Sequence, residues 1–142
     1  NIISKDVFLN LKNVSVGDDC FIFGFPSSLQ LSSRSDYDFD RPLLRKGAIA
    51  GKSYDKGTVL VDCPCYQGNS GGPVYAASVF SGIKSSGLIG IVSRSILHVE
   101  TLESSYYKSI VSVNYSNSGY TVIVPIEFAT QLIKKYKTET NN

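Results

Sequence analysis

Apolar and polar positions change over in short bursts along this chain. Val16-Gly17-Asp18-Asp19 reads as a turn, Cys20-Phe21-Ile22-Phe23 as a strand, and Gly24-Phe25-Pro26 as its stop. Residues 27–42 are a polar loop rich in Ser and Asp. Two further strands, Leu43 to Ala50 and Gly57 to Cys63, flank the polar turn Gly51-Lys52-Ser53-Tyr54-Asp55-Lys56. A short strand follows at Gly72-Pro73-Val74-Tyr75, and a clearer apolar one at Gly87-Leu88-Ile89-Gly90-Ile91-Val92-Ser93. Residues 97–119 read as a long, weakly patterned excursion closed by the turn Asn117-Ser118-Gly119. Tyr120 to Val124 alternates and is β-branched, which predicts the last strand.

Pro125 then opens a helix. Ile126, Phe128, Leu132, Ile133 and Tyr136 recur near the 3.6-residue period, and Lys134, Lys135 and Lys137 gather towards its negative C-terminal end. Six strands followed by one helix predict an all-β antiparallel barrel closed by a C-terminal helix.

Composition agrees with a folded domain. The 142 residues are 42% hydrophobic and 18% charged, with 16 Tyr and Phe side chains and no Met or Trp. A net charge of +2, with basic residues scattered, gives no footprint for nucleic acid. No apolar run approaches the roughly 18 residues of a membrane span, and no signal peptide is visible. Asn-x-Ser triplets at Asn13 and Asn114 matter only in a secreted chain.

The odd set Cys20, Cys63 and Cys65 reads as buried thiols in a reducing compartment, so a cytoplasmic location is expected. A zinc site would need a fourth ligand, and the chain offers only His98. Asp36-Tyr37-Asp38-Phe39-Asp40 begins like a calcium loop. Arg41 then stands where Gly is needed and Gly47 where Glu is needed, so the segment is expected to be a solvated loop. No metal or organic cofactor is expected.

Chemistry concentrates at Gly68-Asn69-Ser70-Gly71-Gly72-Pro73-Val74. A serine hydroxyl becomes a nucleophile when a base takes its proton and donors hold the oxyanion. Flanking glycines allow a sharp turn that aims the Gly68 and Ser70 amides at one spot. Taken alone, Gly-x-Ser-x-Gly is equally a glycine-rich turn with no chemistry. It also fits the nucleophile elbow of α/β-hydrolases, but that motif must run into a helix, and Pro73-Val74-Tyr75 reads as a strand.

The heptapeptide resembles the active-site signature of trypsin-like (chymotrypsin-fold) serine peptidases, especially the bacterial and HtrA-type branch. The likeness extends in order along nearly the whole chain. Val16–Pro26 resembles the strand that opens the second barrel, Arg45–Ala50 its second strand, and Val59–Asp62 the strand entering the nucleophile loop. Leu88–Ser93 resembles the substrate-pairing strand, and Val124-Pro125-Ile126 with its helix the family's C-terminus.

The resemblance implies a six-stranded trypsin-like barrel over 16–142, with 1–15 as the end of a first barrel and the connection from it. It implies an endopeptidase acting on polypeptide substrates through an acyl-enzyme on Ser70, with the Gly68 and Ser70 amides as oxyanion hole. Pro64, Cys65, Tyr66, Gln67, Val92, Ser93 and Arg94 would border the substrate by family position. Pro64 brings no charge to the expected pocket floor, so no preference for basic side chains is implied.

The family's histidine base precedes its serine, whereas His98 follows Ser70. The base is therefore expected on a first barrel, missing from these residues, that would be this chain's partner. Asp6, in Ser4-Lys5-Asp6-Val7-Phe8-Leu9, resembles the carboxylate that orients the base. It reads equally as an exposed Asp near a terminus. The alternative function is an inactive trypsin-like barrel serving as a scaffold or peptide-binding module.

Overall fold

A computed structural model describes residues 7–29, 38, 40–80 and 83–140. Six strands run in sequence: β1 (Asp19–Gly24), β2 (Leu43–Ser53), β3 (Thr58–Asp62), β4 (Pro73–Phe80), β5 (Ile83–Ser104) and β6 (Ser109–Pro125). Helix α1 (Ile126–Thr140) follows directly. All six pair antiparallel in the order β1-β2-β3-β6-β5-β4, and β4 pairs with β1, so the ladder closes on itself. The run β4-β1-β2-β3 within that ring is a Greek key, in which the fourth strand returns beside the first.

Period-two alternation makes the core. Cys20 and Ile22 of β1, and Val59 and Val61 of β3, point inward, with Ile49, Val74, Ala76, Ile89, Val92 and Ile123 completing the interior. Each Val or Ile side chain buried there contributes about 1.5–3 kcal/mol. Leu9, Leu11 and Val14 join the same cluster. The segment bearing them meets β5 through the Phe8–Leu88 bridge and the bond from Leu9 N to Leu88 O (3.0 Å). It also meets α1, where the Leu11 amide donates to Glu127 Oε1 at 2.7 Å. The Lys52 ammonium donates to the Leu11 and Val14 carbonyls.

The structure corrects three expectations. Residues 97–119 are not an irregular excursion; β5 and β6 continue through them as a two-stranded ribbon with a tip at residues 105–108. The last strand therefore begins at Ser109, and β4 extends to Phe80. The apolar stripe of α1 is mostly unburied: Leu132, Ile133 and Tyr136 are exposed, and Phe128, itself partly exposed, lies against Gly57. The helical period is legible there, but Leu132, Ile133 and Tyr136 remain more than half exposed.

Candidate functional site

The chain leaves β3 through Cys63 and enters β4 at Pro73, and the segment between forms a tight turn. Tyr66 O accepts from the Asn69 amide and Asn69 O from the Gly72 amide, each at 3.0 Å. Two glycines are obligatory on steric grounds. Gly68 has φ +98°, and a Cβ there would lie 2.2 Å from Phe25 O. A Cβ at Gly72 would lie 2.2 Å from Phe23 O. The turn is thus pressed backbone to backbone against β1 and its exit.

Ser70 is exposed at the crest of the turn. Its Oγ donates to Ser93 O at 3.3 Å. Just after it, Gly71 N donates to Val92 O (2.8 Å) and Val92 N to Gly72 O (2.9 Å), which fixes the turn on β5. Among the described residues, neither the Gly68 nor the Ser70 amide has a hydrogen-bond acceptor. A cavity of about 750 Å³ opens beside Ser70, lined chiefly by Phe23, Phe25, Pro42, Pro73 and Tyr75 together with the glycines of the turn.

The approach to the turn is held by side chains from two strands and from the segment after β1. Arg45 of β2 donates to Pro64 O at 2.9 Å, and its guanidinium lies 4.8 Å from the Tyr66 ring centroid. Asn117 of β6 donates to Cys65 O at 2.5 Å and Thr121 to Cys63 O at 2.7 Å. The Ser27 hydroxyl donates to Gln67 O at 3.1 Å. Sequence reading missed all four of these side chains. Each is distant in the chain, so only strand register shows its relation to the turn. Asn69 is buried, with its Oδ1 unpartnered among the described residues and its Cγ against Gly24.

The residues named from sequence divide into groups. Gly68 and Ser70 form the turn with Val92 and Ser93 beside them, and Arg94 is exposed on the next stretch of β5. Pro64, Cys65, Tyr66 and Gln67 lead into the turn, their bonds running to Arg45, Asn117, Asn69 and Ser27. None of Pro64–Gln67 or Val92–Arg94 lines the large cavity, which lies on the β1–β4 side of Ser70. Asp6 lies outside the described residues.

His98 stands on the ribbon, exposed, with Nε2 3.5 Å from Glu100 Oε1. It is a strand residue rather than the loop residue expected, and Ser70 Oγ does not bond to it.

Cys20, Cys63 and Cys65 are buried free thiols, as the odd set suggested. Burial, with Cys63 nearby, pushes the Cys20 thiol up to about 12, and burial beside Cys65 pushes Cys63 up to about 11. Both stay neutral, which makes them packing groups rather than nucleophiles. The described residues contain no group of three or more His, Cys, Asp or Glu side chains placed to hold a metal ion. No described helix is long and apolar enough to cross a membrane. No known family's profile matches the chain, and no curated protein matches it significantly.

Proposed function

We propose that this barrel is the nucleophile-bearing part of a trypsin-like serine endopeptidase. The observation that carries the reading is the turn itself: an exposed Ser70 hydroxyl on a glycine-locked bend, with the Gly68 and Ser70 amides left without acceptors among the described residues. The closed six-stranded ladder with its C-terminal helix agrees with the fold the family resemblance implies.

In the reaction, a base withdraws the Ser70 proton as Oγ attacks the scissile carbonyl of a polypeptide. The Gly68 and Ser70 amides take the developing oxyanion. The base then gives its proton to the leaving amine as the C–N bond breaks, and water cleaves the resulting ester with Ser70 restored. The base is a histidine from outside these 142 residues, with Asp6 as a candidate to orient it. The apolar cavity against Phe23, Phe25 and Tyr75 is the surface on which the histidine-bearing barrel would sit. No cofactor enters the scheme.

A second reading is favoured by one observation: the Ser70 hydroxyl already donates its hydrogen bond to Ser93 O. On that reading the domain binds peptides without cleaving them. A fluorophosphonate probe, applied to a longer parent protein that supplies an upstream histidine, separates the two. Labelling that disappears in Ser70→Ala supports the peptidase. An unlabelled Ser70 in protein that still binds peptide overturns it in favour of the binding module.

A further inference from the structure

Strand β6 pairs with β3 only from Tyr120 to Ile123, and Cys63 N donates to Gly119 O just before that stretch. From Ser109 to Ser118 its main chain has no ladder partner but β5 among the described residues. Ser109 to Asn117 are all exposed. An open strand edge invites another strand, and proteins guard such edges with charge or proline. The stretch Ser109-Ile110-Val111-Ser112-Val113-Asn114-Tyr115-Ser116-Asn117-Ser118 carries neither. Across the ribbon, β5 carries Arg94, His98, Glu100 and Glu103.

Within the open stretch the register is unbroken from Ser112 to Asn117, opposite Leu102 to Leu97. At ~3.3 Å per residue this is about 20 Å of regular edge, an ordinary strand length. The run also alternates. Val113 and Tyr115 share a face with Thr101 and Val99, while Ser112, Asn114 and Ser116 share the other with Leu102, Glu100 and His98. On the first face Val113 is 43% exposed and Tyr115 63%. Antiparallel pairing of this run with a copy of itself, about a twofold at Asn114, sets Val113 against Tyr115 twice on one face. It sets Ser112 against Ser116 on the other. A β-branched side chain opposite an aromatic one is a favourable cross-strand pair, and no charged residue stands at the joint.

We propose that the outer edge of β6 is a self-association surface, through which two copies of this chain join by antiparallel Ser112–Ser116 pairing about a twofold at Asn114. A second copy is the occupant because the pattern is its own complement, as a twofold interface requires. A two-stranded ribbon is marginal in water. Joining two of them gives four strands, with Val99, Val113 and Tyr115 of both copies on one face. A joint this short buries less than the ~1,200 Å² of a standard stable interface, so monomer and dimer exchange at micromolar concentrations. The dimer does not depend on the chemistry of Ser70.

Sedimentation velocity of the 142-residue chain between about 5 and 500 μM should show a monomer passing to a dimer. Asn114→Lys and Asn114→Glu, at an exposed position, each set like charges across the twofold and should each weaken dimerisation by about tenfold. An equimolar mixture of the two variants should regain the dimer, which misfolded variants would not do. Hydrogen exchange should slow with concentration at the amides of Ser112 to Ser116 that point away from β5. The outward amides of β5 should stay fast.

A monomer over the whole range overturns the proposal. So does self-association that Asn114→Lys leaves unchanged, which assigns the contact to the cavity wall or α1. Failure of the mixed variants to regain a dimer also overturns it. Slowed exchange at the outward β5 amides does the same, because the opposite edge is then the joint.

Discussion

At the scale of residues, the turn separates chemistry from architecture. Ser70 is exposed and its one side-chain bond is a 3.3 Å contact, so Ser70→Ala should change stability by no more than about 0.5 kcal/mol, while in a parent protein that supplies the histidine it should end fluorophosphonate labelling. Gly68→Ala should behave differently. A side chain there must accept φ +98° and a Cβ 2.2 Å from Phe25 O, so the strain of about 1–3 kcal/mol comes with displacement of the loop. Thermal unfolding should show a clear drop for Gly68→Ala and almost none for Ser70→Ala. Equal unfolding temperatures would contradict the packed-turn geometry.

The buried thiols give a pH dependence of defined sign. Cys20 keeps its proton up to about 12 in the folded chain, against the usual 9.0. Below pH 9 both states are protonated and this contribution to stability is fully present. As pH rises from 9 towards 12 the unfolded chain ionises first, so stability falls. Urea midpoints should decline across the accessible part of this window, and the decline should be shallower in Cys20→Ala.

At the scale of elements, the approach to Ser70 depends on β6. The Thr121 hydroxyl is fully buried and donates to Cys63 O. Thr121→Val keeps the shape and removes the donor, leaving a buried carbonyl unsatisfied at a cost of about 1–3 kcal/mol. Urea unfolding of Thr121→Val measures that loss, and an unchanged midpoint would show the bond to be dispensable. The ribbon should be the least protected strand pair. Amides between residues 98 and 116 should exchange far faster than those of β3, because their side chains are nearly all exposed.

The two elements differ in how readable they were. β1 and β3 alternate cleanly because one face meets the core, so their positions followed from the sequence within a residue or two. The ribbon has no buried face to impose contrast. Its Val, Leu, Tyr and Ser therefore looked like irregular chain, although the register shows two aligned faces.

At the scale of the whole molecule, apolar surface lies open in two places. One is the cavity wall, where Phe25 is 53% exposed and lies across from Tyr75 and Pro42. The other is α1, with Leu132, Ile133 and Tyr136 all more than half exposed. Single monomers seldom leave patches beyond roughly 300–600 Å² uncovered. The 142-residue chain should therefore bind an apolar dye or self-associate, and sedimentation with dye titration checks this. A clean monomer without dye binding would show the barrel to be self-sufficient. Under the peptidase reading the same chain should not cleave casein, because Ser70 has no histidine beside it. Cleavage that disappears in His98→Ala would make His98 the base.

The sequence by itself determined the β class, the C-terminal helix and the serine turn. These rest on local rules: period-two alternation, a 3.6-residue stripe after Pro125, and glycines where a bend needs them. Tertiary structure decided what stands around the turn. It brought Arg45, Asn117 and Thr121 to the loop, placed the cavity on the β1–β4 side, and left the edge of β5 open beyond Ser70. Those relations depend on which strands become neighbours and in what register, and closure of the whole ladder sets that, not any local run of residues.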